Sequence, residues 1–192
     1  MIQRMNSPMH KIVIAGGTGF LGINLATYLE KKGFRPVLLG RNKPNEHVKF
    51  EFVQWDAVNP GEWMYALSEA KAVVNLTGKS VDCIKTPDNC DLILRSRVEP
   101  TRAIGLALRE VSHPPKVWVQ MSTAHIYGDP PDAICTESSS TGYGLAPFVG
   151  NAWENALLEV LPQGMREVRL RTSFVMGKNG GALVKLKLLA RL

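Results

Sequence analysis

A chain of 192 residues that is 45% hydrophobic and 21% charged can bury one real core and is too apolar for a disordered segment. It contains no apolar run near the roughly 20 residues that cross a bilayer, and Met1–His10 lacks the apolar stretch of a secretory signal. The net charge of +6 is scattered, without basic–aromatic interleaving, which argues against nucleic acid and membrane partners and for solvated faces plus an anion-binding cleft.

Met1–His10 reads as a flexible leader, and residues 11–192 as one domain. Lys11–Ala15 is predicted to be a buried strand, because β-branched residues dominate it. It empties into Gly16-Gly17-Thr18-Gly19-Phe20-Leu21-Gly22, after which Leu21–Lys32 has helical spacing and Gly33 closes it. Gly16 suits a tight turn, Gly19 lets backbone approach a phosphate, and Gly22 lets a helix lie close on its strand. Together with Thr18, Phe20 and Leu21 they form a candidate seat for a dinucleotide pyrophosphate at a helix N-terminus.

Pro36–Leu39 is the second predicted strand, followed by Gly40-Arg41. An NAD-preferring site places an acidic residue near this point for the ribose 2′-OH. Here Arg41 can instead pair with a 2′-phosphate, so NADP(H) is expected over NAD(H), the alternative being that Arg41 is a solvated turn residue. Phe50–Gln54 is the third strand. Asp56 beyond it either accepts the adenine amino group or begins the turn through Asn59-Pro60-Gly61. A helix is predicted at Gly61–Ser68 and a strand at Ala72–Leu76, leading into Leu76, Thr77 and Gly78, where a cofactor ribose and nicotinamide would cross the sheet edge.

Leu92–Val111 is a predicted helix, Val117–Met121 a strand, Phe148–Leu161 a helix and Glu167–Leu170 a strand. Asp129–Gly144, rich in Pro, Ser, Asp, Thr and Gly, is a loop at the carboxyl edge, where open α/β sheets bind ligands. Ala182–Leu192 reads as an amphipathic basic helix without a cap or breaker. Strand and helix alternate, which predicts a Rossmann-type doubly wound α/β fold with a mostly parallel sheet in the order 3-2-1-4-5-6. Three sparse cysteines, Cys83, Cys90 and Cys135, fit a reducing compartment, and cytoplasm is the expected location.

Ala15–Gly22, Asn75–Gly78, Ser122–Gly128 and Arg171–Gly177 together resemble an extended or atypical short-chain dehydrogenase/reductase. Ser96–Thr101, Trp153-Glu154 and Gly177–Leu183 make the chain similar, more narrowly, to the NAD-dependent epimerase/dehydratase-like family, some members of which carry the label cell division inhibitor. Members usually continue further to complete a substrate lobe, so the resemblance implies a chain truncated at its C-terminus. It also implies a Ser/Thr–Tyr–Lys catalytic set, in which a tyrosinate exchanges a proton with substrate and a lysine lowers its pKa.

Thr123 matches the Ser/Thr position. The Tyr-x-x-x-Lys pair is missing: Pro147 stands where Tyr143 would need its lysine, and no lysine lies between Lys116 and Lys178. Counted back from Trp153-Glu154, the expected positions hold Ala146 and Gly150. Tyr127 is the alternative proton carrier or a pocket wall; His125 is titratable or simply exposed; Tyr143 could swing over a nicotinamide. Glu154 reads as helix surface or a cap to a neighbouring element. No cluster has metal-ligand spacing, and Gly177–Gly181 lacks the Lys-Ser/Thr ending of a phosphate-binding P-loop.

The expected function is an NADP(H)-binding oxidoreductase or epimerase-like protein acting on a small carbonyl or sugar-nucleotide substrate. The alternative is a non-catalytic NADP-binding module that senses redox state through a protein partner.

Overall fold

The computed structural model describes residues 9–45, 47–130, 134–177, 180–181, 183, 186–187 and 190. Six parallel strands form one sheet: β1 (Lys11–Ala15), β2 (Arg35–Gly40), β3 (Glu51–Gln54), β4 (Ala72–Asn75), β5 (Val117–Thr123) and β6 (Arg166–Thr172). Their order is β3-β2-β1-β4-β5-β6, as expected. A separate two-stranded antiparallel hairpin joins β7 (Met176–Gly177) to β8 (Gly180–Gly181). Among the described residues the continuous helices are α1 (Phe20–Lys31), α2 (Pro87–Glu110) and α3 (Leu145–Val160), with short 3-10 helices at Glu62–Leu67 and Ala124–Tyr127.

Each strand end lies within a few residues of its expected place, because buried strands are bounded by where apolar runs stop. Two helices differ more. The segment expected to be helical at Gly61–Ser68 closes as a single 3-10 stretch, Glu62–Leu67, anchored by buried Trp63 and Leu67. α2 begins at Pro87, five residues before the predicted Leu92. The Thr86 hydroxyl caps it by accepting from the Asn89 amide at 3.3 Å, and Pro87 takes the first helical position, where no N–H is needed.

The sheet separates two cores. On one face α1 covers Ile12, Ile14, Leu38 and Val74. On the other, α2, α3 and the first 3-10 helix cover Val13, Val37, Leu39, Val73 and Trp118. α2 and α3 meet closely at Gly105, where an added Cβ would stand 2.1 Å from Val160 Cγ2. The contact pairs the C-terminal ends of the two helices, just before the chain enters β5 and β6. No described helix is long and apolar enough to cross a membrane. The expected leader lies almost wholly, and the expected C-terminal helix largely, outside the described residues.

Candidate functional site

Three strand ends converge on the glycine loop. Leu76 N–H donates to Ala15 O at 2.9 Å and Gly17 N–H to Leu39 O at 3.1 Å, so the loop is tied to both neighbours of β1. Gly16 has φ of +73°, and a Cβ on it would stand 3.0 Å from the Leu76 carbonyl. Gly22 is tighter still: its Cβ would meet Gly17 O at 2.4 Å, which sets the depth at which α1 lies on the loop. Gly19, by contrast, faces open space, with Gly16 O the nearest atom at 3.4 Å.

Gly19 is also the N-cap of α1. It supplies no side-chain cap, and the first turn has no acidic residue. The leading N–H groups and the positive end of the helix dipole are therefore free for an anion. Phe20 turns away from that opening. Its ring packs on the β7–β8 hairpin, where a Cβ at Gly177 or Gly180 would come within 2.4 Å of it. Gly177 and Gly180 thus make room for an aromatic ring.

Past β2, Gly40 explains the lack of an acidic residue. A Cβ there would stand 2.7 Å from Thr18 Cγ2 and 3.2 Å from Phe52, so a larger residue would have to displace the Thr18 side chain. Arg41 is exposed, and its carbonyl accepts from Gln54 Nε2 at 3.1 Å. Beside it a cleft of about 300 Å³ is lined by Thr18, Asn42, Lys43 and Asn45, with Ile23, Pro44 and Val48. Asp56 forms the turn: its Oδ1 accepts from the Val58 and Asn59 amides, both at 2.8 Å, and its Oδ2 from Asn59 Nδ2 at 2.7 Å. Those three bonds, the Asn59 amide first, hold its carboxyl below the ordinary carboxylate value.

A buried polar chain holds the end of β4. Asn75 Nδ2 donates to Thr101 Oγ1 and Gln120 Oε1, while Asn75 Oδ1 accepts from the Thr77 amide and hydroxyl. Leu76 and Thr77 are thereby fixed against the glycine loop, and Gly78 follows beside Arg97. Asn75 pairs with Gln120 in the sheet, so Gly78 and Thr123 each stand three residues beyond that pair. Thr123 Oγ1 accepts from the His125 amide at 3.1 Å, and its methyl packs on Gly150. His125 is exposed and meets Phe174 edge to face, with ring centroids 5.5 Å apart. Tyr143 is 99% exposed.

Of the two expectations for Glu154, helix surface fails: it is 4% exposed and tied to neighbouring elements, joining β5 to β6. Its carboxylate accepts from Ser122 Oγ at 2.5 Å, from Arg171 Nε at 2.9 Å and Nη2 at 2.8 Å, and from Arg169 Nη1 at 3.2 Å. Burial opposes its charge most strongly. The Arg171 and Ser122 hydrogen bonds and the two guanidinium charges together outweigh that, so its pKa falls below the ordinary value. Arg171, raised chiefly by its bonds to Glu154, also donates to Tyr127 Oη at 2.7 Å and to Glu137 O at 3.1 Å. Tyr127 is thus joined to this charged cluster.

Among the described residues no group of His, Cys, Asp and Glu could hold a metal, and the three cysteines are free.

Residues 12–179 match the NAD dependent epimerase/dehydratase family. The epimerase family protein YfhF of Bacillus subtilis is 30% identical over 173 residues, which is 88% of this chain and 56% of that protein. The human epimerase family protein SDR39U1 is 27% identical over 186 residues, 95% of this chain and 60% of that protein. The crystal structure of human SDR39U1 (isoform 2) with NADPH superposes with a TM-score of 0.78 at 26% identity, covering 94% of this chain and 59% of that one. A nucleoside-diphosphate sugar epimerase from Corynebacterium glutamicum gives the same TM-score at 28% identity, covering 96% and 38%. The chain spans a little over half the length of the curated relatives it matches.

Proposed function

Because this chain belongs to the NAD dependent epimerase/dehydratase family, we propose that it binds NADP(H) and performs oxidoreductase or epimerase-like chemistry on a small carbonyl or sugar-nucleotide substrate. The observation that carries this reading is the uncapped, acid-free N-terminus of α1, framed by Gly16, Gly19 and Gly22. A bound dinucleotide would supply the hydride acceptor or donor.

Gly16, Thr18, Gly19, Phe20, Leu21 and Gly22 form the cradle for the pyrophosphate. Leu76, Thr77 and Gly78 support the ribose on the nicotinamide side, and Asp56 lies toward the adenine. The choice of NADP(H) rests on Gly40, where a carboxylate would crowd Thr18, on Arg41, and on the polar cleft beside Thr18 and Lys43. The NADPH held by the human relative supports it. Thr123 orients the substrate oxygen: its lone pair takes the His125 amide, which leaves its O–H to donate. Tyr127 likewise accepts from Arg171 and keeps its own O–H for proton transfer.

One observation favours a second reading, a regulatory NADP-binding module. Gly150, at an expected dyad position, packs so closely on Ile126 and Thr123 that a Cβ would meet them at 3.0 and 3.2 Å. A lysine there would have to displace both.

Incubation with NADPH and a panel of small aldehydes, ketones and nucleotide sugars separates the two. Turnover of one panel member, slowed about tenfold by Thr123→Ala, is the expected result. Tight NADPH binding with no turnover supports the module. No dinucleotide binding overturns both.

A further inference from the structure

Arg97 differs from the other arginines beside carboxylates in this molecule. Arg35, Arg95, Arg102, Arg169 and Arg171 each pair with a carboxylate, mostly at the surface. Arg97 is half-buried on α2 and has no acidic partner among the described residues. Burial alone lowers its pKa from the ordinary arginine value. A desolvated cation without a counter-charge is expensive, and a protein that keeps one commonly presents it to an anion.

The guanidinium is held firmly. One face lies over the Trp153 ring, 5.1 Å from its centroid. Gly78 lies against it: a Cβ there would stand 3.2 Å from Cζ and 3.3 Å from Nη2. Nη1 donates to Ile93 O at 2.8 Å and reaches Ser96 Oγ at 3.5 Å, and Nη2 donates to Lys79 O at 3.1 Å. Of the five N–H groups, Nε–H and one on Nη2 have no acceptor among the described residues. That leaves two donors of a firmly held guanidinium for an oxyanion.

Its place narrows the anion. The pyrophosphate seat is at Gly16–Gly22, beside Leu76 and Thr77. Arg97 touches the chain at Gly78 and Lys79, beyond that contact. β5, which carries Thr123, is the next strand. We infer that Arg97 is a substrate-recognition residue that binds an anionic oxygen group, a carboxylate or phosphate, of the substrate whose reacting oxygen meets Thr123. This inference rests on the catalytic reading above and narrows its substrate class to acidic carbonyl compounds or phosphate esters. Ser96 supports the arrangement by accepting from the Lys79 amide at 2.8 Å.

The test is a side-chain NMR titration of ¹⁵N-labelled protein saturated with NADPH. The Arg97 Nε–H signal is assigned by its loss in Arg97→Lys and followed while inorganic phosphate, then acetate, is added. A saturable shift is expected, with phosphate affinity at least about tenfold weaker in Arg97→Gln and NADPH affinity changed less than about twofold. An unmoved Nε–H signal overturns the inference, and so does equal phosphate affinity in the variant. If Arg97→Gln loses NADPH as strongly as phosphate, the anion belongs to the dinucleotide and the substrate assignment falls. Failure of the wild-type chain to bind NADPH defeats the functional reading instead, and the same titration on nucleotide-free protein still decides Arg97. Should Arg97→Gln not fold, Gly78→Ala crowds the same guanidinium and must weaken phosphate binding for the inference to stand.

Discussion

Around β1, β2 and β4 the molecule makes room by leaving side chains out, whereas between β5 and β6 it fills room with charge. Gly16, Gly22 and Gly40 each sit where one added carbon would strike a neighbour. Ser122, Glu154, Arg169 and Arg171 instead bring a carboxylate and two guanidiniums into one partly dry cluster. The first region is specified by shape and the second by electrostatics. They should therefore fail differently: the glycine side abruptly and at any pH, the charged side gradually and with acid.

Gly22→Ala should have the largest effect. Its Cβ meets backbone at 2.4 Å, which no rotamer change relieves, so a loss of about 3 kcal/mol or more is expected in urea unfolding. NADPH binding should fall below detection, and a variant that binds normally would break the shape argument.

Glu154→Gln comes next, at about 2–3 kcal/mol, less than for a fully buried pair because both arginines retain some exposure. The pH dependence follows from the sign of the shift. The folded carboxyl is held below its ordinary value of 4.5, so its stabilisation is complete above that value and is lost as pH falls through the lowered folded one. Wild type should lose stability over that acid window, and Glu154→Gln should lose less. Parallel curves for the two proteins would show that Glu154 is not what acid titrates.

Arg41→Ala tests the nucleotide side without disturbing its shape. NADPH should weaken about tenfold or more relative to NADH, the worth of one charge-assisted contact, with unfolding unchanged. Equal losses for the two nucleotides would remove Arg41 from the 2′-phosphate site. Tyr127→Phe should be the mildest, costing about 1 kcal/mol for the bond from Arg171. A larger fall in turnover than in stability would mark Tyr127 as a proton carrier and not merely an anchor for the cluster.

The two regions also differed in how much of them could be read from sequence. The glycine loop is local: a β-branched run, three glycines and a helix within a dozen residues suffice, and the strand order followed. The Thr86-Pro87 start of α2 was equally local, a hydroxyl cap followed by proline, yet the apolar spacing that begins at Leu92 drew the boundary inward. Glu154 could not be placed the same way, because its burial depends on the β5–β6 register. That register puts Arg169 and Arg171 opposite Gln120 and Ser122, on the side where α3 lies. The available signal was two arginines at period 2 on one short strand, which together need a counter-charge if that face is covered. Arg97 stood out only as part of the Ser96–Thr101 resemblance, since the spacing of its helix does not distinguish a solvated arginine from one held against Gly78 and Trp153.

The ring of Phe20 has a consequence for synthesis. The glycine loop leaves the ribosome among the first residues of the domain, but the hairpin glycines that receive Phe20 are among the last of the described chain. Until they arrive, the first turn of α1 has an aromatic side chain with no seat, and the loop cannot settle into its final form. A nascent chain halted before β7 should hold NADPH poorly even with the six-stranded sheet complete, so that nucleotide capture would wait on a segment far along the chain from the glycine loop.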